Sequence, residues 1–351
     1  MRGRRQFVGS ARLGVGILAL LLQAQIVCAQ GDSLEPGPRP AEAAARQKQW
    51  IGDYGPDGPL LSTVAEKDGK LVLLSERLGQ CALTAKSATE LAAACTSTPN
   101  VSVVRDASGG FFLRIEEVSL QRRDFGVDAN QVARIKPVRP VNELREEAVA
   151  AAPPEEKGEF RKPDLVELAP LDAAIHLDIR YATSNDFLGT PVYTQARAFL
   201  QRPAAEALLR AHKKLEKLGY GLLIHDAYRP WYVTKIFWEA TPAEGKIFVA
   251  DPSQGSRHNR GCAVDLSIYD LKTGKPIEMP GTYDEMSLRS FPKYAGGTSL
   301  QRWHRDLLRR TMESEGFAVY EFEWWHFDYK DWREYSIQNI PFEKLSAAAA
   351  K

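Results

Sequence analysis

Two histidines and two acidic residues, carried by two short motifs, are the residues of this sequence best suited to chemistry. The first motif, Ser-Arg-His-Asn-Arg-Gly-Cys-Ala-Val-Asp at residues 256–265, places Asp265 seven residues after His258. The second, Glu-Trp-Trp-His, places His326 three residues after Glu323. Each residue alone is ordinary, because a lone histidine or aspartate is more often a hydrogen-bonded structural residue. Together they have the composition of a metal centre with an additional carboxylate.

The number and type of these ligands favour a catalytic zinc ion. A structural zinc is usually closed by four protein ligands, often thiolates, whereas a catalytic zinc takes three and leaves one position to water. His258, Asp265 and His326 supply three. Glu323 then remains free to accept the proton of a water whose pKa the metal lowers to roughly 7. The sequence therefore predicts one hydrolytic Zn²⁺ per chain.

The local pattern around the first motif predicts how its two ligands meet. After Gly261, apolar and polar residues alternate, which is typical of a half-buried strand that carries Asp265 on its polar, cleft-facing side. His258 lies in the preceding loop, where Asn259 and Gly261 permit the chain to bend. His258 and Asp265 are therefore expected to face one metal.

The second motif requires an irregular strand. Residues three apart lie on opposite faces of a flat strand but on one face of a helical turn. We therefore expect a bend or bulge at residues 324–325, so that Glu323 and His326 reach the same cleft. The two tryptophans there are expected to dry the site.

Hydrolysis of a carbonyl compound also needs a positive group for the developing oxyanion. Arg229 is the candidate, because it follows a short apolar strand and Pro230 holds it extended. A fixed oxyanion donor contributes on the order of 10²–10³ in rate. An ordinary surface arginine is the alternative on composition alone.

The chain around these motifs is expected to form two globular domains with an exported N-terminus. Arg2, Arg4 and Arg5, the apolar run 13–22 and the small residues 27–29 are typical of a cleaved signal peptide. The predicted segments are a signal peptide (1–29), a disordered leader (30–47), a small β-rich accessory domain (48–140), a polar linker (141–162), a catalytic domain (163–345) and a tail (346–351).

The net charge of the mature chain and the residues before Cys28 limit the partners and the cellular location that we expect. Cleavage after residue 29 removes four arginines and no acid, which changes the net charge from +1 to −3. No strong basic field then remains for nucleic acid or an anionic membrane surface, and no stable membrane insertion is expected. Residues 25–27 fit a lipobox poorly, so we expect a periplasmic or secreted protein without a lipid anchor on Cys28. The oligomeric state is left open.

Three cysteines remain in the mature chain. Cys81 and Cys95 flank a short segment, predicted to be a helix over residues 86–94, and an exported chain meets oxidising conditions. They are therefore the expected disulfide pair. Cys262 is expected to be a buried, inert thiol.

Helical spacing of apolar residues predicts helices over 203–217, 231–240 and 299–315, with strands over 220–225 and through most of 317–327. In the N-terminal part, an Asp68-Gly69 hairpin and a second turn at 108–110 predict paired short strands.

Three motifs in this order resemble the zinc D-alanyl-D-alanine dipeptidases of the vancomycin-resistance type. These are Asp-Ala-Tyr-Arg-Pro at 226–230, the motif at 256–265 and the motif at 323–326, within a likeness that runs from about residue 165 to 342. The resemblance implies an α+β fold related to D,D-carboxypeptidases and the hedgehog-like zinc fold, with a mainly antiparallel central sheet and flanking helices.

The resemblance also implies roles for individual residues. It makes His258, Asp265 and His326 the zinc ligands, Glu323 the general base and Arg229 the transition-state stabiliser. Asp284 matches the position that holds the free ammonium group of the substrate, and Tyr181 and Ser256 line the pocket. The implied substrate is a small dipeptide, D-Ala-D-Ala, cleaved to two D-alanines.

Two alternatives stay open at this point. One is a D,D-carboxypeptidase or endopeptidase that acts on longer peptidoglycan stems. The other is a catalytically silent zinc-fold module that binds cell-wall peptide, although the presence of both Glu323 and Arg229 argues against it.

Overall fold

A computed structural model of the chain describes residues 34–96, 100–125 and 132–345. The predicted signal peptide, the first residues of the leader and the C-terminal tail lie outside these residues. The described residues form two hydrophobic cores, one built from residues 50–120 and one from residues 141–342. No helix in the described ranges combines the length and apolar composition needed to cross a membrane.

The N-terminal core is enclosed by an antiparallel meander whose strands follow chain order. Gly55 N donates to Gln121 O at 3.0 Å, and Arg123 N donates to Asp53 O at 2.7 Å. Because these bonds join the first strand to the end of the last, the sheet closes into a near-barrel. Its strands are β1 (Gly52–Tyr54), β2 (Ser62–Lys67), β3 (Lys70–Ser75), β4 (Gly79–Ala85), β5 (Glu90–Ala94), β6 (Val101–Arg105), β7 (Phe111–Ile115) and β8 (Val118–Gln121).

The C-terminal domain is built on a mixed five-stranded sheet with the order β10-β12-β13-β15-β14. Only the β10–β12 pair is parallel among its described strands. A separate antiparallel pair is formed by β9 and β11. The strands are β9 (Leu165–Glu167), β10 (His176–Leu177), β11 (Phe199–Gln201), β12 (Tyr220–Asp226), β13 (Ala263–Asp270), β14 (Phe317–Tyr320) and β15 (Glu323–Tyr329).

Helices cover this sheet, as the sequence predicts. The described α-helices are α1 (Ala45–Lys48), α2 (Val141–Ala150), α3 (Arg202–Glu216), α4 (Trp231–Ala240) and α5 (Ser299–Glu313). Leu208, Ala211 and Leu215 lie on the buried face of α3, which packs on β12, while α5 packs on β14. Thr298 and Gln301 form a capping box that fixes the start of α5. The three helices expected in this domain are present, with ends within two residues of the prediction.

The helix expected between Cys81 and Cys95 is wrong. Residues 90–94 form strand β5, which pairs with β4 so that Ala82 lies opposite Ala94. The run Leu-Ala-Ala-Ala favours a helix by intrinsic propensity, but pairing on both sides and burial of Leu91 override it. Cys81 and Cys95 consequently lie on neighbouring strands, where they form a disulfide.

The linker expected over residues 141–162 is also wrong in its first half. Residues 141–150 form α2, whose Val141, Leu144 and Ala148 are buried in the core of the C-terminal domain against α4. Their spacing puts them on one helix face, a pattern that the surrounding charges and alanines concealed. The C-terminal domain therefore begins before residue 141: Ile135 N already donates to Phe187 O.

The leader expected to be disordered is folded where the structure describes it. Trp303 Nε1 on α5 donates to Gly37 O at 2.9 Å, Ala43 is buried, and α1 follows directly. Burial of Ala43 and the hydrogen bond from Trp303 hold this segment in place, although its prolines had indicated a disordered chain.

Candidate active site

The two motifs bring three ligand groups to one point on the sheet. Asp265 on β13 and His326 on β15 are directly opposite each other in the strand register, and His258 belongs to a short 3-10 turn before β13. His258 Nε2 lies 3.1 Å from His326 Nδ1 and 3.3 Å from Asp265 Oδ1, and His326 Nδ1 lies 3.1 Å from the same oxygen. Ligand atoms about 2.0–2.1 Å from a tetrahedral zinc are separated by similar distances.

The outer ring nitrogens of both histidines are hydrogen bonded, which leaves their inner nitrogens for a metal. His258 Nδ1 donates to Ala227 O at 2.6 Å, and His326 Nε2 donates to Asp328 Oδ1 at 2.9 Å. Such partners fix the tautomer and orientation of metal-binding histidines. Asp265 Oδ1 is buried and has no hydrogen-bond partner among the described residues. This donor set therefore fits a metal ion.

Asp328 was not recognised from the sequence. It lies two residues after His326 on β15, and side chains at that spacing share a face of a strand. This i+2 relation is the signal that could have identified it. Although its burial opposes ionisation, the contact with His326 and the positive charge of Arg257 hold the pKa of Asp328 below its ordinary value.

Glu323 lies beside the cluster without belonging to it. Glu323 Oε2 is 3.6 Å from His326 Nδ1. The pairing of β14 with β15 shifts register here, because Val319 faces Phe327 and the next residue, Tyr320, faces Glu323. This irregularity spans the predicted bend at residues 324–325. Burial, strengthened by the charge of Asp265, raises the pKa of Glu323 to about 7.

Arg229 is fixed in place three residues after β12 ends. Its Nε and Nη2 each lie 2.8 Å from Asp226 Oδ2, and its guanidinium lies over the ring of Phe237 at 4.8 Å. Asp226, which sequence reasoning did not single out, also accepts a hydrogen bond from Tyr193. The Arg229 Nη2 to Asp265 Oδ2 distance is 3.7 Å. The guanidinium is thus oriented before any ligand arrives.

Asp284 is a half-buried residue in an unusual backbone conformation. Its φ is 59°, in the left-handed region that few side chains adopt. Its Oδ2 is buried without a hydrogen-bond partner in the described part of the chain. Burial, and then the charge of Asp265, raise the pKa of Asp284 well above its ordinary value, while a hydrogen bond with Tyr181 opposes the shift.

The other predicted pocket residues lie in the same place. Tyr181 is buried among aromatic rings, including Tyr193 and Phe237. The hydroxyl of Ser256 accepts a hydrogen bond from His258 N at 3.2 Å, so that it also holds the ligand loop. Cys262 is buried, and burial raises its thiol pKa to about 12, as expected of an inert thiol.

All the predicted polar residues line one cavity of about 370 Å³. Its walls include the three ligand residues, Glu323, Arg229, Asp284, Tyr181, Ser256 and Trp325. Tyr283, also missed from the sequence, contacts Asp265 Oδ2 through its hydroxyl at 3.3 Å. A His-Asp-His cluster with a carboxyl and a guanidinium beside it is typical of metallopeptidases.

Comparison with known proteins identifies the peptidase family of the C-terminal domain. Residues 161–344 match the peptidase family described as D-ala-D-ala dipeptidase. The chain is similar to D-alanyl-D-alanine dipeptidases of Escherichia coli (33% identity, covering 47% of this chain and 84% of that protein), Enterococcus faecalis (35%, covering 45% and 88%) and Streptomyces coelicolor (33%, covering 48% and 92%). The chain belongs to this family and is a metallopeptidase. The match covers the C-terminal domain from residue 161 to residue 344 and leaves α2 and the near-barrel outside it.

Proposed function

We propose that this protein hydrolyses free D-alanyl-D-alanine to two D-alanines, using one Zn²⁺ held by His258, Asp265 and His326. The observation that carries the proposal is the carboxyl of Asp284, which lines the same cavity as the His258, Asp265 and His326 cluster and has a buried, unpartnered oxygen. The names of the relatives support the substrate class. The cavity lies near the lower end of the usual range for small-ligand pockets, about 300–1,000 Å³.

When bound, zinc lowers the pKa of a coordinated water and polarises a carbonyl group. Glu323 is the proton acceptor for the attacking water and later delivers that proton to the leaving amine. Its carboxyl is shielded from solvent and held beside His326. A general base of raised pKa is matched to operation near neutral pH.

Arg229 stabilises the negative charge that develops on the carbonyl oxygen. Because Asp226 and the ring of Phe237 already fix the guanidinium, no reorganisation is needed as charge builds. Asp226 is thus a positioning residue for Arg229.

Asp284 binds the free ammonium group of the dipeptide. A buried carboxylate is costly unless a cation compensates it, so a substrate that lacks a free amine at this distance is rejected. This requirement distinguishes a dipeptidase from an enzyme that trims longer chains. Tyr181 and Ser256 line the pocket around the bound dipeptide.

The proposed location is outside the cytoplasm. This rests on the sequence pattern of residues 1–29 and on the disulfide, which is typical of exported proteins. Neither nucleic acid nor a membrane surface is a proposed partner.

The test is a comparison of three substrates with the purified, zinc-loaded protein. We expect cleavage of D-Ala-D-Ala, with N-acetyl-D-Ala-D-Ala and L-Ala-L-Ala at least 100-fold slower in kcat/KM. Comparable cleavage of the acetylated compound would indicate a carboxypeptidase. Zinc binding without turnover of any of the three would leave only the silent, cell-wall-binding alternative.

Glu323→Gln separates the base from the metal site. General acid–base groups contribute roughly 10²–10⁴ in rate, so kcat is expected to fall by at least 10²-fold while the zinc content stays at the wild-type level. In the wild type, kcat/KM is expected to fall as the pH drops through the pKa of Glu323, because the carboxylate is the form that accepts a proton. Unchanged turnover in the variant overturns the assignment.

A further inference from the structure

A second cluster of ligand-type side chains lies outside the cavity described above. His212 and Glu216 are one turn apart on α3, and Asp172 comes from the segment between β9 and β10. His212 Nε2 lies 3.7 Å from Asp172 Oδ1 and 3.6 Å from Glu216 Oε1. One ligand atom from each residue falls within 4.8 Å of the others.

His212 is the unusual member of this cluster. The side chain is 0% exposed, and neither ring nitrogen has a hydrogen-bond partner among the described residues. Buried polar atoms are nearly always paired. The Nε2 atom faces two carboxylates at distances too long for hydrogen bonds and suited to an atom placed between them.

The two carboxylates make the cluster accessible from solvent. The side chains of Asp172 and Glu216 are 15% and 27% exposed. Lys213 forms ion pairs with Asp172 Oδ2 and Glu216 Oε2, while Oδ1 and Oε1 are the oxygens that face His212. The half-exposed lysine thus balances charge without occupying the space between the imidazole and these two oxygens.

We propose that Asp172, His212 and Glu216 bind a second divalent metal ion, for which Zn²⁺ is the probe. One imidazole and two carboxylates form a donor set suited to zinc. The ion joins the last turn of α3 to the segment that leads into β10. Ala174 in that segment donates to Asp172 Oδ1 and accepts from Tyr269 on β13, so the metal adds a bond to an existing junction. Its role is structural, and it takes no part in hydrolysis.

The experiment is a zinc titration of metal-free full-length protein, with metal content measured by mass spectrometry after removal of free ion. We expect two Zn²⁺ per chain in the wild type, one in Glu216→Gln and one in His326→Ala. His176→Ala, which changes a histidine outside both clusters, is the matched control and is expected to retain two. The proposal would be overturned if the wild type bound one zinc and His326→Ala bound none. Lys213 would then be the cation that balances the charge of Asp172 and Glu216.

Two further readouts keep the result independent of folding and of catalysis. In the His326→Ala background, a saturating excess of Zn²⁺ is expected to raise the Tm by several degrees, and the added Glu216→Gln change is expected to abolish the rise. Lys213→Gln is expected to tighten binding several-fold by removing a competing cation. Glu216→Gln alone is expected to keep wild-type hydrolysis. The titration does not depend on catalysis, so failure of the proposed dipeptidase activity would leave its result unaffected. Equal Tm shifts in His326→Ala and in the double variant His326→Ala/Glu216→Gln would exclude the site.

Discussion

At the scale of single residues, the proposed role of Asp284 is to make the candidate metal site selective for a short substrate. The left-handed backbone and the buried, partnerless oxygen are both unfavourable for the free protein. Strain of this kind persists where the surrounding structure enforces it, often at functional sites. In the proposed function, the ammonium group of the substrate relieves this unfavourable energy.

We therefore expect Asp284→Asn to lower kcat/KM for D-Ala-D-Ala by roughly 10²-fold. A hydrogen bond to a charged group is worth about 1.5–3 kcal/mol, and the amide loses the ionic part of the contact. The Tm is expected to stay the same or rise, because a buried ionisable group is removed. Steady-state kinetics and thermal unfolding measure both effects.

Asp251→Asn is the matched control, since Asp251 lines the same cavity but caps its own loop by accepting from Ser253 N. It is expected to change kcat/KM by less than threefold. Equal losses in the two variants would mean that general negative charge in the cavity, and not a bond at Asp284, selects the substrate.

At the scale of elements, α2 shows that the C-terminal domain is larger than the family match. Leu144 is fully buried on the face that packs against α4, and α4 carries Phe237, whose ring supports Arg229. Helix α2, which precedes the matched residues, thus packs against the helix that carries one wall of the candidate active site.

Leu144→Ala is expected to lower the free energy of unfolding by about 2–5 kcal/mol, the usual range for a buried leucine. Val149→Ala on the same helix removes a side chain from a residue that is 60% exposed, and surface changes of this kind usually stay within about 0.5 kcal/mol. Urea unfolding of both variants tests the difference. Equal, small losses would show that α2 is not part of the cooperative unit.

Elements with a strong local pattern were predicted from the sequence, and those that depend on distant partners were not. The periodicity of α3 and the alternation in β13 are visible in the residues themselves, and so are the ligand spacings. Strand β5 was missed because pairing with β4 and β6 outweighs its alanine content. The burial of α2 depends on its contact with α4, a helix far along the chain. Asp226 is only three residues before Arg229, but its hydrogen bonds to the guanidinium depend on the conformation of the chain after β12.

At the scale of the whole molecule, the near-barrel is joined to the catalytic domain by partly buried polar contacts. Tyr294 OH lies 3.0 Å from both carboxylate oxygens of Asp53 on β1. Glu66 on β2 accepts from Ser299 N at 2.7 Å, and its own backbone N donates to Gly297 O at 3.0 Å. Burial raises the pKa of Asp53. The contacted residues, 294–299, begin ten residues after Asp284 in the chain.

This connection predicts that loosening the near-barrel affects substrate binding. Tyr294→Phe removes one hydrogen-bond partner of the buried Asp53 carboxyl, which is expected to lower the free energy of unfolding by about 1–3 kcal/mol. The KM for D-Ala-D-Ala is expected to rise several-fold, because Asp284 becomes less well fixed. The kcat is expected to change little, because the metal cluster stays intact. Tyr232→Phe on α4, away from this contact, is the control and is expected to behave as wild type. An unchanged KM in Tyr294→Phe, with the stability loss present, would make the near-barrel a separate attachment that does not influence the active site.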